Sequence, residues 1–350
     1  MNISTSRQIT IALDAMGGDN DPKAIIGGAN EFIKEHAPNA KFIFFGDQEK
    51  ISKELNICPF LAKNCEIFHT TEVVGSNETP SFALRNGKKS SMRLAIDAVK
   101  SGQVDAIVSA GNTGALMAMS KIVLRTLVGI DRPAICGIVP TVNKSCVMLD
   151  MGANIECAAN NLMQFGIMGS AFASVVYNIP NPKVGLLNVG SEDIKGSDAV
   201  KQASKLLKEL GEDVINFYGF VEGDDIFKSI VDVVVTDGFS GNISLKTAEG
   251  TAYLCREFMK RSFSSSIISK LGYLFAKKSI KKTFASLDHR YYNGAMLIGL
   301  DGIVVKSHGS SDYVGMCTAI KTAYNLAQNN INSKISNLIE ENFTDSILID

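Results

Sequence analysis

The sequence predicts an α/β protein built on a mostly parallel sheet that is covered on both faces. Three observations carry this. Short apolar runs of strand length alternate with longer stretches of helical spacing along the whole chain. The runs are apolar at successive positions, as strands buried on both sides require. Gly-rich polar clusters follow the runs, where strand gives way to helix.

In chain order, Ile9 to Met16 reads as a buried strand and Asp21 to Glu35 as a helix with Pro22 in its first turn. Lys41 to Asp47 is a second strand and Glu66 to Glu72 a weaker one. Ser81 to Ser101 reads as one helix that stops before Gly102. Asp105 to Gly114 runs from strand through a Gly turn into a helix start. Ala134 to Thr141 and Cys146 to Ala153 look like adjacent strands joined at Asn143-Lys144, with a long helix from Ala158 to Tyr177 behind them. Lys183 to Gly190, Asn216 to Gly223 and Val231 to Phe239 are strands, and Asp198 to Leu210 is a helix. Another helix begins near Gly241. Gly302 to Gly309 is the last strand and Asp312 to Ala327 the last core helix.

Composition bounds the function. The 350 residues are 45% apolar and 20% charged, which suits a globular chain with a large core. Net charge is −1, without the basic excess of a protein that coats nucleic acid. The seven Cys (Cys58, Cys65, Cys136, Cys146, Cys157, Cys255 and Cys317) are scattered and form no CxxC pair, so neither a disulfide framework nor a metal site is expected. MNISTSRQITIALDAM lacks the pattern of a secretory leader, and no apolar run is long enough to span a bilayer. The expected location is cytoplasmic.

One segment departs from the rest. Residues 258–287 carry seven Lys or Arg and no acidic residue, which leaves −8 for the remainder of the chain. Phe263, Ile267, Leu271, Leu274 and Phe275 fall at helical spacing, with Lys277 and Lys278 following. A basic amphipathic helix suits an anionic membrane surface. An acidic partner protein and a surface hairpin packed on the core are the competing readings.

Ligands of doubly wound sheets bind beyond the carboxyl ends of strands. Six Gly-rich clusters are expected there: DAMGGDN, SAGNTG, DMGAN, NVGSEDIKGSD, TDGFSGN and SHGSSD. Small residues let a ligand approach the backbone, and N–H groups at a helix start attract anions. Together they suggest a phosphate site. No G-x-G-x-x-G follows a strand, no P-loop occurs, and no G-x-S-x-G elbow occurs. Dinucleotide, nucleotide-triphosphate and serine-hydrolase sites are thereby disfavoured. The four His show no metal spacing, and only His308 lies at a strand end among glycines. Neither cofactor nor metal is expected.

From Ile9 to Leu326 the chain resembles the phosphate acyltransferase family, the acyl-[acyl-carrier-protein]:phosphate acyltransferases of bacterial phospholipid synthesis. The resemblance rests on ALDAMGGD (Ala12 to Asp19), SSMR (Ser90 to Arg93), VSAGNTGALMA (Val108 to Ala118) and GIDRPA (Gly129 to Ala134). It continues through LDMGAN (Leu149 to Asn154), VGLLNVG (Val184 to Gly190), KGSD (Lys195 to Asp198), VDVVVTDGFSGN (Val231 to Asn242) and HGSSD (His308 to Asp312). The resemblance implies a three-layer α/β/α fold like that of isopropylmalate dehydrogenase, with a cleft between two subdomains. Residues 1–330 then form one two-lobed domain, and 331–350 a C-terminal helix or tail. It also implies a homodimer at the inner face of the membrane that takes a long acyl chain from acyl carrier protein to inorganic phosphate.

For that reaction the expected catalytic group is Asn112, Asn188, Lys195 and His308. The expected phosphate and substrate contacts are Asp14, Gly17, Gly18, Ser91, Arg93, Gly111, Thr113, Gly114, Asp150, Asn154, Gly196, Asp237, Gly238 and Asn242. Phosphate is already anionic and a thiol with a pKa near 8–9 leaves readily, so positioning and donor groups carry more of the barrier than acid or base. Direct attack without an acyl-enzyme is the expected course. Plainer roles compete: a tight turn for Gly17-Gly18, helix caps for Asn112 and Thr113, Asx-turn or cap roles for Asp14, Asp150 and Asp237, an ion pair for Arg93, and a solvated surface for Lys195. Met117, Met119, Met148, Met151 and Met163 are candidates for an acyl groove, with core packing as the alternative. A short-chain acyl-CoA phosphotransacetylase, a metal- and NAD-dependent dehydrogenase and a membrane-bound scaffold are the alternative functions.

Overall fold

A computed structural model describes residues 7–285 and 288–343. The first lobe opens with β1 (Thr10–Asp14), α1 (Lys23–Glu35), β2 (Lys41–Gly46), α2 (Gln48–Leu55), α3 (Pro59–Ala62) and β3 (Cys65–His69). It continues through α4 (Pro80–Asn86), α5 (Ser91–Lys100), β4 (Ala106–Ser109) and α6 (Thr113–Leu124). The second lobe holds β5 (Ala134–Pro140), β6 (Ser145–Leu149), α7 (Ala159–Tyr177), β7 (Lys183–Leu187), α8 (Asp198–Glu209), β8 (Asn216–Val221) and β9 (Val233–Val235). Two helices, α9 (Gly238–Ser264) and α10 (Ile267–Ala285), then project as a hairpin. The chain returns through β10 (Ala295–Ile298), β11 (Ile303–Lys306), α11 (Tyr313–Gln328) and α12 (Ile331–Phe343).

The predicted alternation is present, with three differences. The helix expected over 81–101 is two helices. Gly87 ends α4, and Ser90 caps α5 by accepting from Arg93 N–H while its hydroxyl donates to Gly87 C=O. α2, α3 and β10 were not anticipated. α2 starts where Asp47 accepts from Glu49 and Lys50 N–H, and β10 is only four residues long. The helix expected from Gly241 begins at Gly238, because Asp237 accepts from Ser240 N–H, and runs unbroken to Ser264. The basic segment is thus split between the end of α9 and α10.

The eleven strands among the described residues form one sheet, in the order β3-β2-β1-β4-β11-β10-β5-β6-β9-β7-β8. β1, β2, β3, β4 and β11 are mutually parallel, as are β6, β7, β8 and β9. Antiparallel pairings of β10 with β11, β10 with β5 and β5 with β6 separate the two sets. Three reversals leave the two parallel sets running in opposite directions.

Successive strand residues face opposite sides. On one side a continuous core crosses both lobes: Leu13, Val305, Val147 and Val233 pack under Phe32 of α1, Phe165 and Phe172 of α7 and Ile320 of α11. α12 closes this side with Ile331, Ile335 and Ile339, so the described part of the tail is a docked helix. On the other side there are two separate cores. Ala12, Ile107, Val304 and Leu297 pack beneath Met92 of α5 and Leu116 of α6. Val139, Met148 and Val234 form the second, with Leu245 of α9 against it. Met151 packs on both and marks the waist between the lobes.

Candidate active site

The opposed strand directions divide the six Gly-rich clusters. DAMGGDN, SAGNTG and SHGSSD lie together at the carboxyl ends of β1, β4 and β11. DMGAN, NVGSEDIKGSD and TDGFSGN lie at the carboxyl ends of β6, β7 and β9, at the other end of the sheet. There are two mouths, joined by the waist.

The first mouth is built around Asp14, the last residue of β1. Its side chain is fully buried and accepts from the Ser91 and Ser109 hydroxyls, each at 2.6 Å. Burial pushes its pKa up, against the lowering effect of those hydroxyls and of Lys306. Gly17 follows at a point where a Cβ would come 2.6 Å from the Asp14 carboxylate and 2.8 Å from Gly111 N. Only glycine brings the two loops so close. Gly18 N–H donates to Asp21, whose carboxyl group burial pushes up to about 7. Asp19 N–H donates to Gly309 C=O at 2.9 Å and ties this loop to SHGSSD.

Gly111 N–H donates to the Ser109 hydroxyl. Asn112 caps α6 by accepting from Ala115 N–H at 3.0 Å. Its amide also donates to the carbonyls of Gly75, Ser76 and Glu78. The polar atoms of Asn112 are thus engaged in holding the loop, and Thr113 and Gly114 form the exposed first turn behind it. Ser91 is a direct partner of Asp14, whereas Arg93 turns to Asp97 at 2.9 Å.

His308 is exposed on the third loop, where its Nδ1 faces the Ser310 hydroxyl and backbone N–H. Its own N–H donates to Asn293 Oδ1. Asn293 also donates to the Ser307 and Ser311 hydroxyls and to Gly315 C=O, so one amide holds the whole SHGSSD turn. Asn293 and Lys306 are site-forming residues that motif reasoning missed. Asn293 stands two residues before an unrecognised strand, β10. Lys306 was visible only as a lysine ending an apolar run. Burial brings the Lys306 ammonium down to about 8.

At the second mouth, Asp150 is fully buried and saturated. It accepts from the N–H groups of Ile135, Gly152, Ala153 and Asn154 and from the Asn154 amide. Asn154 in turn donates to Pro133 C=O. These two residues build the loop on which Gly238 rests through a 2.7 Å bond to Asn154 C=O. Asp237 caps α9 with bonds to both the N–H and hydroxyl of Ser240, and the exposed Asn242 packs on Gly152. Asn188 donates to Lys195 C=O, and Gly196, at φ +95°, closes this turn in the region that favours glycine. Lys195 pairs with Glu192 at 2.9 Å on the surface, which raises its pKa. A cavity of about 430 Å³ opens among Ile155, Cys157, Ser197, Asp237, Phe239 and Ser240. Among the described residues no cluster of His, Cys, Asp and Glu has the make-up of a metal site.

Of the candidate acyl-groove residues, Met119, Met148 and Met163 are buried in the cores. Met117 and Met151 are only partly buried, and Met151 lies over Gly137 at the waist. On the α9–α10 hairpin, Ile267 is 78% exposed, Leu271 52%, Leu274 64% and Phe275 87%. Phe263 is half-buried against Tyr273, and Lys277 and Lys278 are exposed. The basic stripe is therefore displayed and does not pack on the sheet. Among the described residues no helix is long and apolar enough to cross a membrane.

The architecture is that of the phosphotransacetylases. It matches a phosphotransacetylase from Streptococcus pyogenes at TM-score 0.61 over 91% of this chain and 94% of that one, at 17% identity. EutD phosphotransacetylase from Staphylococcus aureus matches at 0.58 over 94% and 95%, also at 17% identity. These likenesses show the fold. Sequence relatives are much nearer. A phosphate acyltransferase of Rhodospirillum centenum is 52% identical over 94% of this chain and 92% of its own length. One from Paramagnetospirillum magneticum is 51% identical over 94% and 93%. The family model described as "Fatty acid synthesis protein" matches residues 9–334. The chain is an acyltransferase; it belongs to this fatty acid synthesis protein family, that of the phosphate acyltransferases.

Proposed function

We propose that this protein transfers a long-chain acyl group from acyl carrier protein to inorganic phosphate, giving acyl phosphate for phospholipid synthesis. The observation that supports it most strongly is the 52% identity to a phosphate acyltransferase over 94% of the chain. The first mouth suits the chemistry. It combines a helix start at Thr113 and Gly114, small residues at Gly17, Gly18 and Gly111, and hydroxyls and an imidazole at His308 to Ser311.

In this reading a phosphate oxygen bonds to the thioester carbon. The C–S bond breaks, and sulfur leaves with the electron pair and takes a proton from solvent. The oxyanion is stabilised by donors already in place, so no acyl-enzyme forms. The donor is an extended molecule. We place its reacting carbonyl at the first mouth and its body along the waist beside Met117 and Met151. The Asn188–Lys195–Gly196 turn and the Asp237–Asn242 cap then meet it at the second mouth.

We further propose that the α9–α10 hairpin rests on the anionic inner face of the membrane. The seven cations of residues 258–287 and the exposed apolar stripe support this. A homodimer is part of the same reading, and sedimentation equilibrium of the full chain tests it.

The deciding assay is thiol release from a long-chain acyl carrier protein with and without inorganic phosphate, with hydroxylamine to trap acyl phosphate. Phosphate-dependent release with trapped product is the expected result. Release from a short acyl-CoA alone would replace the donor with a phosphotransacetylase's, and release from neither would remove the reading.

A further inference from the structure

Lys306 ends β11 on the face that carries Val304, beneath α5 and α6, in register with Ser109 on one side and Ala295 on the other. Its ammonium donates to Ala110 C=O at 3.2 Å and to Ser307 C=O. These carbonyls belong to the SAGNTG and SHGSSD loops, so the ammonium lies where two walls of the first mouth meet. The charged groups that act on it are Asp14 on β1 and Asp21 and Asp19 on the loop after β1. None of the described carboxylates takes it up in a direct ion pair. Asp14 is instead occupied by two hydroxyls, and Asp21 by Gly18 N–H. An ammonium has three N–H donors, and two are spent here on neutral carbonyls. A desolvated cation without a contact counter-ion is costly unless an anion arrives to meet it.

We propose that Lys306 is the cation of the phosphate subsite, held by the Ala110 and Ser307 carbonyls and donating its remaining N–H to the phosphate that attacks the thioester. The role of that phosphate as substrate rests on the proposed function. The binding of an anion at Lys306 does not, and it is measured without turnover.

The test is calorimetric titration of the full chain with inorganic phosphate and with sulfate, beside kinetics with acyl carrier protein. Lys306→Met is expected to weaken phosphate and sulfate at least tenfold, and to raise the KM for phosphate as much while the KM for the acyl donor stays within twofold. Sulfate keeps its charge throughout, so its pH profile reports the protein. Two declines in wild-type affinity are expected. One, near pH 7, follows ionisation of Asp21 and is shared by Lys306→Arg. The other, above about pH 8, follows loss of the Lys306 proton and is absent from Lys306→Arg, whose guanidinium stays charged. Asp14, Asp19 and His308 are the same in both proteins. Should Lys306→Met fail to fold, as judged by circular dichroism, the wild-type and Lys306→Arg profiles decide alone. Equal sulfate affinity in wild type and Lys306→Met, identical profiles in wild type and Lys306→Arg, or no anion binding by wild type would overturn the proposal. Anion binding that depends on Lys306 in a protein that transfers no acyl group would retire the reaction and keep the site.

Discussion

At the scale of single residues, the first mouth is held by contacts with little slack. A methyl group on Gly17 would collide with Asp14 and with the backbone of Gly111, neither of which is a flexible side-chain end. Gly17→Ala is therefore expected to cost about 1–3 kcal/mol, the usual range for overpacking, and to lower turnover at least tenfold. Thermal unfolding and the thiol-release assay read the two effects separately. Asp21 makes a pH prediction. Its carboxyl titrates near 3.8 when exposed and near 7 in the fold, so between these values the folded state holds more protons. Stability contributed by this group falls as pH rises through that window. Asp21→Asn should gain stability relative to wild type as pH rises from about 4 to about 7, as read in urea titrations; a constant difference would show that the carboxyl titrates normally. Lys195 is different in kind. Its exposed pair with Glu192 contributes little to stability. Lys195→Ala should leave the melting temperature unchanged and lower turnover, and wild-type turnover would remove it from the donor's path.

At the scale of elements, the helix starts explain most of the site. Asn112, Asp237 and Asp312 each cap a helix that leaves a strand end, so the same residue sets the loop and begins the helix. The α9–α10 hairpin is the opposite case. It contributes little to the core and displays its apolar stripe. Replacing Ile267, Leu271 and Leu274 together by Ser removes exposed side chains, so the fold should be unaffected. A buried aliphatic side chain is worth about 1.5–3 kcal/mol, so the triple variant should bind anionic vesicles at least a hundredfold more weakly. Activity on soluble acyl carrier protein should persist. Vesicle co-sedimentation checks the first claim, and unchanged binding would return the hairpin to a plain surface element.

At the scale of the whole molecule, one continuous core on the side of α1, α7, α11 and α12 joins the lobes, while the opposite side divides at Met151. The shared side makes unfolding a property of both lobes together. Ile335→Ala in α12 leaves a cavity in that shared core and should cost about 2–4 kcal/mol, lowering a single cooperative transition without splitting it. Two transitions in calorimetry would show that the lobes unfold independently.

Much of this was legible in the chain. The strands of β1, β4, β7 and β11, the six Gly-rich clusters after strands and the basic amphipathic spacing of residues 258–287 all follow from local periodicity and from residues that act on their immediate neighbours, whereas the exposure of that stripe is shown only by the fold. Turn and cap chemistry is written within a few positions, which is why Asp237 and Asn112 could be read as caps. The family resemblance added what spacing alone does not carry. Other features were decided only in the folded chain. The clusters separate into two mouths because β10, a four-residue strand without a strong signal, is antiparallel to both β11 and β5 and so leaves those two alike in direction, and the β5–β6 hairpin then reverses the second set. Asp150 and Asn154 spend their polar atoms on each other and on the backbone around Pro133 and Ile135. Lys306 becomes a half-buried ammonium bonded to Ala110 C=O, 196 residues away in the chain. Local sequence determines which residues begin and end each element, because capping and periodicity act over a few positions. Which strand ends meet, and which charge is left without a counter-ion, depends on pairing between distant segments, and that is decided only when the sheet is assembled.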